Sequence, residues 1–249
     1  MISYKYKLLI SYDGTRYCGW QMQPNGISIQ SLIEEALKKL VREPVSLVGA
    51  GRTDAGVHAL GQVAHFECAQ KLDLYKTLAS LNGILPLDIR IKSITEVAPS
   101  FHARFSAQKK IYHYHLWLES TMDPFFHQFR YHPRFKISIP LLEEACQIFV
   151  GKHDFATFAN VNGGAKTSIR TIHRISVVPQ EGGIRIEFEG DGFLYKMVRN
   201  LVGTLLEVAS GKKTFPELQN LLLAKDRRLA GMAAPAKGLF LVRVFYPEI

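Results

Sequence analysis

Asp54 is the residue around which chemistry is most readily built in this chain. It lies in Gly49-Ala50-Gly51-Arg52-Thr53-Asp54-Ala55-Gly56-Val57-His58, where Gly49, Gly51 and Gly56 relax the backbone and let a ligand or another chain segment come close. An arginine two residues from a carboxylate, on a loop leaving a strand, suits contact with an anionic substrate beside a reactive group. A tight structural turn closed by an Asx-type bond from Asp54 accounts for the same residues. The lysine and spacing of a nucleotide-binding P-loop are missing. A metal held by Asp54, His58 and His65, as in a metal-dependent hydrolase, is a further reading. The spacing matches no ligand motif, however, and no metal is expected.

Two other residues stand out by context. Arg199 is flanked by Met197-Val198 and Leu201-Val202, and an arginine buried among apolar side chains is costly without a carboxylate partner. A side chain that snorkels to the surface is the alternative. Tyr112 shares one face of an alternating strand with Tyr114, and a core aromatic is the simpler reading of it.

The elements that must position these residues follow from periodicity. Residues 5–12 are rich in strand formers and stop at the turn signal Asp13-Gly14. Ile29, Leu32, Ile33, Ala36, Leu37, Leu40 and Val41 form a helical stripe over 28–41, with Ser28 placed to cap it. Short strands are predicted near 45–50 and 61–67, a helix over 73–82 stopped near Asn82-Gly83 and Pro86, and a strand over 88–97. That is βαββαβ in outline, and the second half reads as a variation on it. It has a strand at 108–118, a helix at 140–150 with Leu141, Leu142, Ala145, Cys146, Phe149 and Val150 inward, and strands at 169–179 and 183–189. Helices at 192–209 and 215–224 and a strand at 238–246 complete it. Loops are expected at 119–137, where aromatic and basic residues mix, and at 153–168. The expected class is α+β, with one half over 1–105 carrying the Asp54 loop and another over 106–249 carrying Tyr112 and Arg199.

Composition bounds the partners. Across 249 residues, 31 Lys and Arg against 22 Asp and Glu leave a net charge of +9, which suits a polyanion such as RNA. The cysteines Cys18, Cys68 and Cys146 are scattered and odd in number, fitting reduced thiols rather than a disulfide framework or a zinc site. No run of about 18 apolar residues occurs and the N-terminal stretch lacks a signal-peptide pattern, so no membrane partner and a cytoplasmic location are expected.

The ten residues from Gly49 to His58 resemble the signature of the tRNA pseudouridine synthase A family. Further motifs resemble that family in order: Tyr12-Asp13-Gly14 with Gly19-Trp20-Gln21, Ser28-Ile29-Gln30, Phe101-His102-Ala103-Arg104-Phe105-Ser106-Ala107 and Lys110-Ile111-Tyr112-His113-Tyr114. Gly192 to Asn200 and Ala234 to Leu239 continue the likeness, while Lys109-Lys110 and Tyr195-Lys196 depart from the usual residues but keep basic character. The resemblance implies a pseudouridine synthase fold with two βαββαβ-like halves, a mainly antiparallel sheet and a central RNA-binding cleft. It implies isomerisation of uridine at positions 38, 39 and 40 of the tRNA anticodon stem-loop, with no cofactor, by a homodimer. It makes Asp54 the catalytic carboxylate, Arg199 its ion-pair partner, Arg52 a catalytic-site contact to RNA, and Tyr112 the ring that stacks on a flipped uracil. A non-catalytic RNA-binding or tRNA-folding protein on the same scaffold is the rival reading.

Overall fold

The computed structural model describes residues 3–24, 26–160 and 164–247. Residues 161–163 of the loop expected at 153–168, and the first two residues of the N-terminal stretch, lie outside these. The chain divides into two compact units, one running to Gln108 and completed by the chain from Phe240 onward, the other spanning Lys109–Leu239.

The first unit is built on β1 (Tyr4–Tyr12), whose alternate residues Tyr6, Leu8, Ile10 and Tyr12 are buried, the mark of a strand with one face on a core. Each such side chain contributes about 1.5–3 kcal/mol by leaving water. β1 lies between two antiparallel neighbours, β3 (His58–Cys68) and β4 (Ile89–Glu96), and the two-residue β2 (Val48–Gly49) pairs with β3. Helix α1 (Ile29–Val41) buries Ile29, Ile33, Ala36, Leu37 and Val41. Its N-terminus is closed by a reciprocal box in which Ser28 Oγ accepts from Ser31 N–H and Ser31 Oγ accepts from Ser28 N–H. Helix α2 (Leu74–Ile84) ends between Asn82-Gly83 and Pro86, where a stop was expected. The Asn82 side chain bonds both the N–H and the carbonyl of Ile91 at 2.9 Å, so it anchors the end of the helix to β4.

The second unit opens with β5 (Lys109–Trp117), which pairs with β8 (Gly183–Gly190). β8 pairs with β7 (Ile169–Gln180), and β7 with β6 (Gly151–Asp154), all antiparallel. β6 was not expected: Gly-Lys-His-Asp has no apolar alternation, and its pairing with β7 makes it a strand. The helices are α3 (Ile139–Gln147), α4 (Met197–Ala209) and α5 (Phe215–Ala224). Leu141, expected inward on α3, is exposed, while Leu142, Ala145 and Cys146 carry the buried face. α4 begins at Met197 rather than 192, because Lys196 takes a left-handed conformation (φ 60°) that no helix interior accommodates. Gly203 within α4 is required by close approach, since a Cβ there would sit 1.8 Å from the Met232 carbonyl oxygen. Arg130, in the loop where aromatic and basic residues mix, is buried over the rings of Phe126 (3.9 Å) and Trp117 (5.3 Å). The last strand, β9 (Leu239–Phe245), returns to the first unit, where Phe240 and Leu241 pair in parallel with His58 and Ala59 of β3. The class is therefore α+β with mainly antiparallel sheet, as expected. Among the described residues no helix is long and apolar enough to cross a membrane.

Candidate functional site

The chain leaves β2 at Gly49, passes through Arg52, Thr53 and Asp54 without regular structure, turns at Gly56 (φ 75°) and enters β3 at His58. Such a segment needs partners from elsewhere for its backbone groups, and it has them on both sides of Asp54. Ala50 N–H donates to the Val63 carbonyl at 2.7 Å, and the fully buried Gln62 donates to the Gly51 carbonyl at 2.9 Å. The buried Thr53 shares a hydrogen bond of 2.8 Å with the Tyr12 hydroxyl, while its carbonyl accepts from Trp20 N–H at 3.0 Å. Val57 N–H closes the turn on the Asp54 carbonyl at 3.1 Å. Burial raises the Tyr12 hydroxyl well above its ordinary range, so it stays a neutral hydrogen-bonding group.

Gly19 fits beneath this loop because it has no side chain. Its φ of 91° suits glycine, and a Cβ would lie 2.5 Å from the Thr53 carbonyl oxygen and 2.9 Å from the Asp54 carbonyl carbon. Asp54 itself is half-buried, and Arg52 is exposed with Nε donating to Gln21 Oε1 at 3.1 Å. The carboxylate is thus partly exposed on a backbone held by hydrogen bonds on both sides.

The two histidines of the metal reading have structural work. His58 is buried, stacks on Phe240 at 4.5 Å, and sets Nδ1 3.1 Å from both Gly14 N and Asp13 Oδ1. His65 Nδ1 accepts from Ala103 N–H at 3.1 Å, and burial, helped by His102 and Lys5, pushes its pKa down to about 4. Asp13 closes its own turn by accepting from the Thr15 N–H and hydroxyl.

In the second unit, Tyr112 is buried on β5 opposite Phe188 of β8, with its ring edge-on to Phe193 at 5.1 Å. Arg199 lies in the first turn of α4, half-buried, rather than deep inside a helix. Its Nε donates to the Ala234 carbonyl at 2.7 Å, and Ala234 N–H returns a bond to the Arg199 carbonyl at 2.9 Å. Beside it, the fully buried Asn200 donates to the Phe158 carbonyl and to Asn160 Oδ1, and accepts from Arg227. Tyr114, on the face that Tyr112 shares, donates to the Pro235 carbonyl. Burial raises the Tyr114 hydroxyl, against the opposing pull of the Arg199 guanidinium.

Arg52 and Asp54 therefore share one loop, and Tyr112 and Arg199 belong to the other unit. Sequence reasoning gave no positioning role to the residues that hold these in place: Tyr12, Thr53, Gly19 and Asn200, which stood only within motifs, and Gln62, which it passed over. An amide in the middle of an apolar strand (Gln62) or an apolar helix (Asn200) was the signal available, since a buried amide is kept only where it is hydrogen-bonded.

The pattern of the family described as tRNA pseudouridine synthase matches residues 8–106 and 145–247. The tRNA pseudouridine synthase A 1 of Protochlamydia amoebophila is 54% identical over 97% of this chain and 96% of its own length. The tRNA pseudouridine synthase A of Chlamydia trachomatis serovar A is 44% identical, covering 98% and 92% respectively, and that of an Exiguobacterium strain 41%, covering 98% of each. A solved Cbf5-Nop10-Gar1 complex overlaps at a TM-score of 0.36 and 14% identity over 94% of this chain and 57% of that one, too low to argue from. With the family pattern spanning most of the chain and close relatives spanning nearly all of it, the chain belongs to the tRNA pseudouridine synthase family, isomerases that convert uridine to pseudouridine in tRNA.

Proposed function

We propose that this enzyme modifies uridines 38, 39 and 40 in the anticodon arm of tRNA, with Asp54 as its catalytic carboxylate. The observation that carries the reading is the Asp54 loop: a half-exposed carboxylate on a backbone pinned through Thr53, Gly51 and Ala50. Pseudouridine formation breaks the C1′–N1 bond of uridine, turns the base and joins C5 to C1′. N1 gains a proton and C5 loses one, so the formula is unchanged and no redox partner is called for. A carboxylate serves this sequence as nucleophile or base by holding the detached fragment or taking a proton.

Arg199 is the proposed partner of that carboxylate. Its place in the first turn of a 13-residue helix adds the partial positive charge of the unpaired N–H groups, which favours an anion there. Tyr112 is assigned to stack on the uracil once the nucleotide has been flipped from its helix. Arg52, exposed and steadied by Gln21, is assigned to the phosphate backbone or to the space that the flipped base leaves. A homodimer, implied by the family resemblance, working in the cytoplasm completes the proposal.

The test is to incubate the purified protein with unmodified tRNA transcripts, chelator present, and map pseudouridine at single-nucleotide resolution. Pseudouridine on the 3′ side of the anticodon arm is the expected result. Modification confined to another arm would overturn the substrate assignment.

A further inference from the structure

The chain after β4 turns back in a segment that ends in a stack of rings reaching solvent. Lys5 of β1 donates to the carbonyls of Pro99 and Phe101, and His65 of β3 accepts from Ala103, so residues 99–103 are fixed against the sheet of the first unit. On this base the His65 and His102 rings lie 4.8 Å apart, and Phe105 lies on His102 at 4.3 Å with 32° between the planes. His102 Nδ1 accepts the N–H groups of both Arg104 and Phe105 at 3.2 Å. Ser106 completes the turn, donating to the His102 carbonyl at 2.9 Å and accepting from His102 N–H at 3.0 Å.

The direction of Phe105 is therefore set by a hydrogen-bonded turn, yet the residue is 76% exposed. A phenylalanine held in water forgoes the burial that would stabilise the fold. Its outer face serves no packing. Arg104, also exposed, places its guanidinium 5.7 Å from the Phe105 ring, and among the described residues it has no carboxylate partner. Lys7 adds a second cation over the neighbouring rings of Phe101 and Tyr246, at 5.8 and 6.0 Å. A preset aromatic face flanked by cations is complementary to a nucleobase with its phosphate: the base stacks and the phosphate meets the charge.

We propose that Phe105, seated on His102 and flanked by Arg104, stacks an unpaired base of the RNA substrate, with Arg104 on the adjoining phosphate. This is a binding contact distinct from the residues assigned to bond breaking, and it rests on tRNA being the substrate. Phe105→Ala, Phe105→Leu and Phe105→Trp proteins, full length, are compared with wild type for binding of one unmodified tRNA transcript at fixed salt. Single-turnover pseudouridine formation at saturating enzyme is measured alongside. Leucine keeps apolar bulk without an aromatic face, and tryptophan keeps the face.

Alanine and leucine are expected to weaken tRNA binding roughly ten-fold or more, the scale of one lost base stack, while tryptophan binds as wild type. In single turnover at saturating enzyme, all three should react at the wild-type rate. Alanine and leucine variants that bind within about two-fold of wild type would overturn the proposal. So would unchanged RNA affinity accompanied by a smaller sedimenting species, which would make Phe105 a subunit contact. A wild type that binds tRNA but makes no pseudouridine sinks the functional reading instead, and the binding comparison still decides this one.

Discussion

In the first unit the candidate carboxylate sits on a loop without regular structure, and residues distant in sequence hold it: Tyr12 on Thr53, Gln62 on Gly51, Gly19 and Trp20 beneath. In the second unit the candidate aromatic and arginine sit on a regular strand and at the start of a regular helix. There the backbone bonds of the element do most of the placing, with Arg199 bonded to the Ala234 carbonyl and Tyr112 edge-on to Phe193. A side chain carried on a loop has no backbone ladder of its own element to place it, so tertiary clamps take that part. A ring or a guanidinium whose neighbours already pack inherits its position.

The comparison is broken or sharpened by substitutions in each unit, the largest effect first. Arg199→Leu should lower the single-turnover rate about 10²–10³-fold, as loss of one charge-stabilising group does, with tRNA affinity and melting temperature little changed. A folded Arg199→Leu protein with wild-type turnover would remove Arg199 from the site. Gly19→Ala should cost both activity and stability, because its Cβ collides with the Thr53 and Asp54 backbone. A rate loss of about 10²-fold is expected from a displacement on the order of 1 Å, together with a lower denaturation midpoint. A wild-type rate for Gly19→Ala would mean that the loop is not clamped in the way described.

How far these roles were legible beforehand differs between the units in the same sense. Strand 4–12, the helix capped by Ser28 and the strand carrying Tyr112 announce themselves through apolar periods of two or 3.6, because one face of each meets a core. The identity of Asp54 as a candidate was legible as well, from the glycines and arginine around it. Its clamps were not, since Tyr12–Thr53 is a contact across 41 residues with no periodic trace. The stop of the second helix was legible too, since it ends at Ile84 between Asn82-Gly83 and Pro86, but the bonds from Asn82 to Ile91 left no local trace. The start of α4 was set by the backbone of Lys196, which no apolar pattern reports. Parallel pairing of β9 with β3 likewise joins segments about 180 residues apart with no local signal.

Smaller effects extend the comparison. Tyr12→Phe leaves the buried Thr53 hydroxyl without its partner and should cost about 1–2 kcal/mol in urea unfolding, with a modest loss of rate. No change in either would show that the clamp is redundant.

Smallest is a pH effect shared by both units. His65 and His115 are held neutral, their pKa values pushed down to about 4, chiefly by burial, from an ordinary 6.5. Unfolding raises both values, so the unfolded chain binds more protons between them. Stability from these groups is then full above pH 6.5 and is lost as the pH falls toward 4. The denaturation midpoint should fall over that window, and His65→Gln should flatten its slope. A slope unchanged by that substitution would contradict the burial assigned to His65.

The most direct test of the Asp54 assignment is single-turnover pseudouridine formation by Asp54→Asn, a substitution that keeps shape and removes charge. A rate loss of at least about 10³-fold, with tRNA binding and melting temperature close to wild type, is the predicted result. A folded Asp54→Asn enzyme that turns over within about ten-fold of wild type would contradict the account and leave the clamped loop a structural turn.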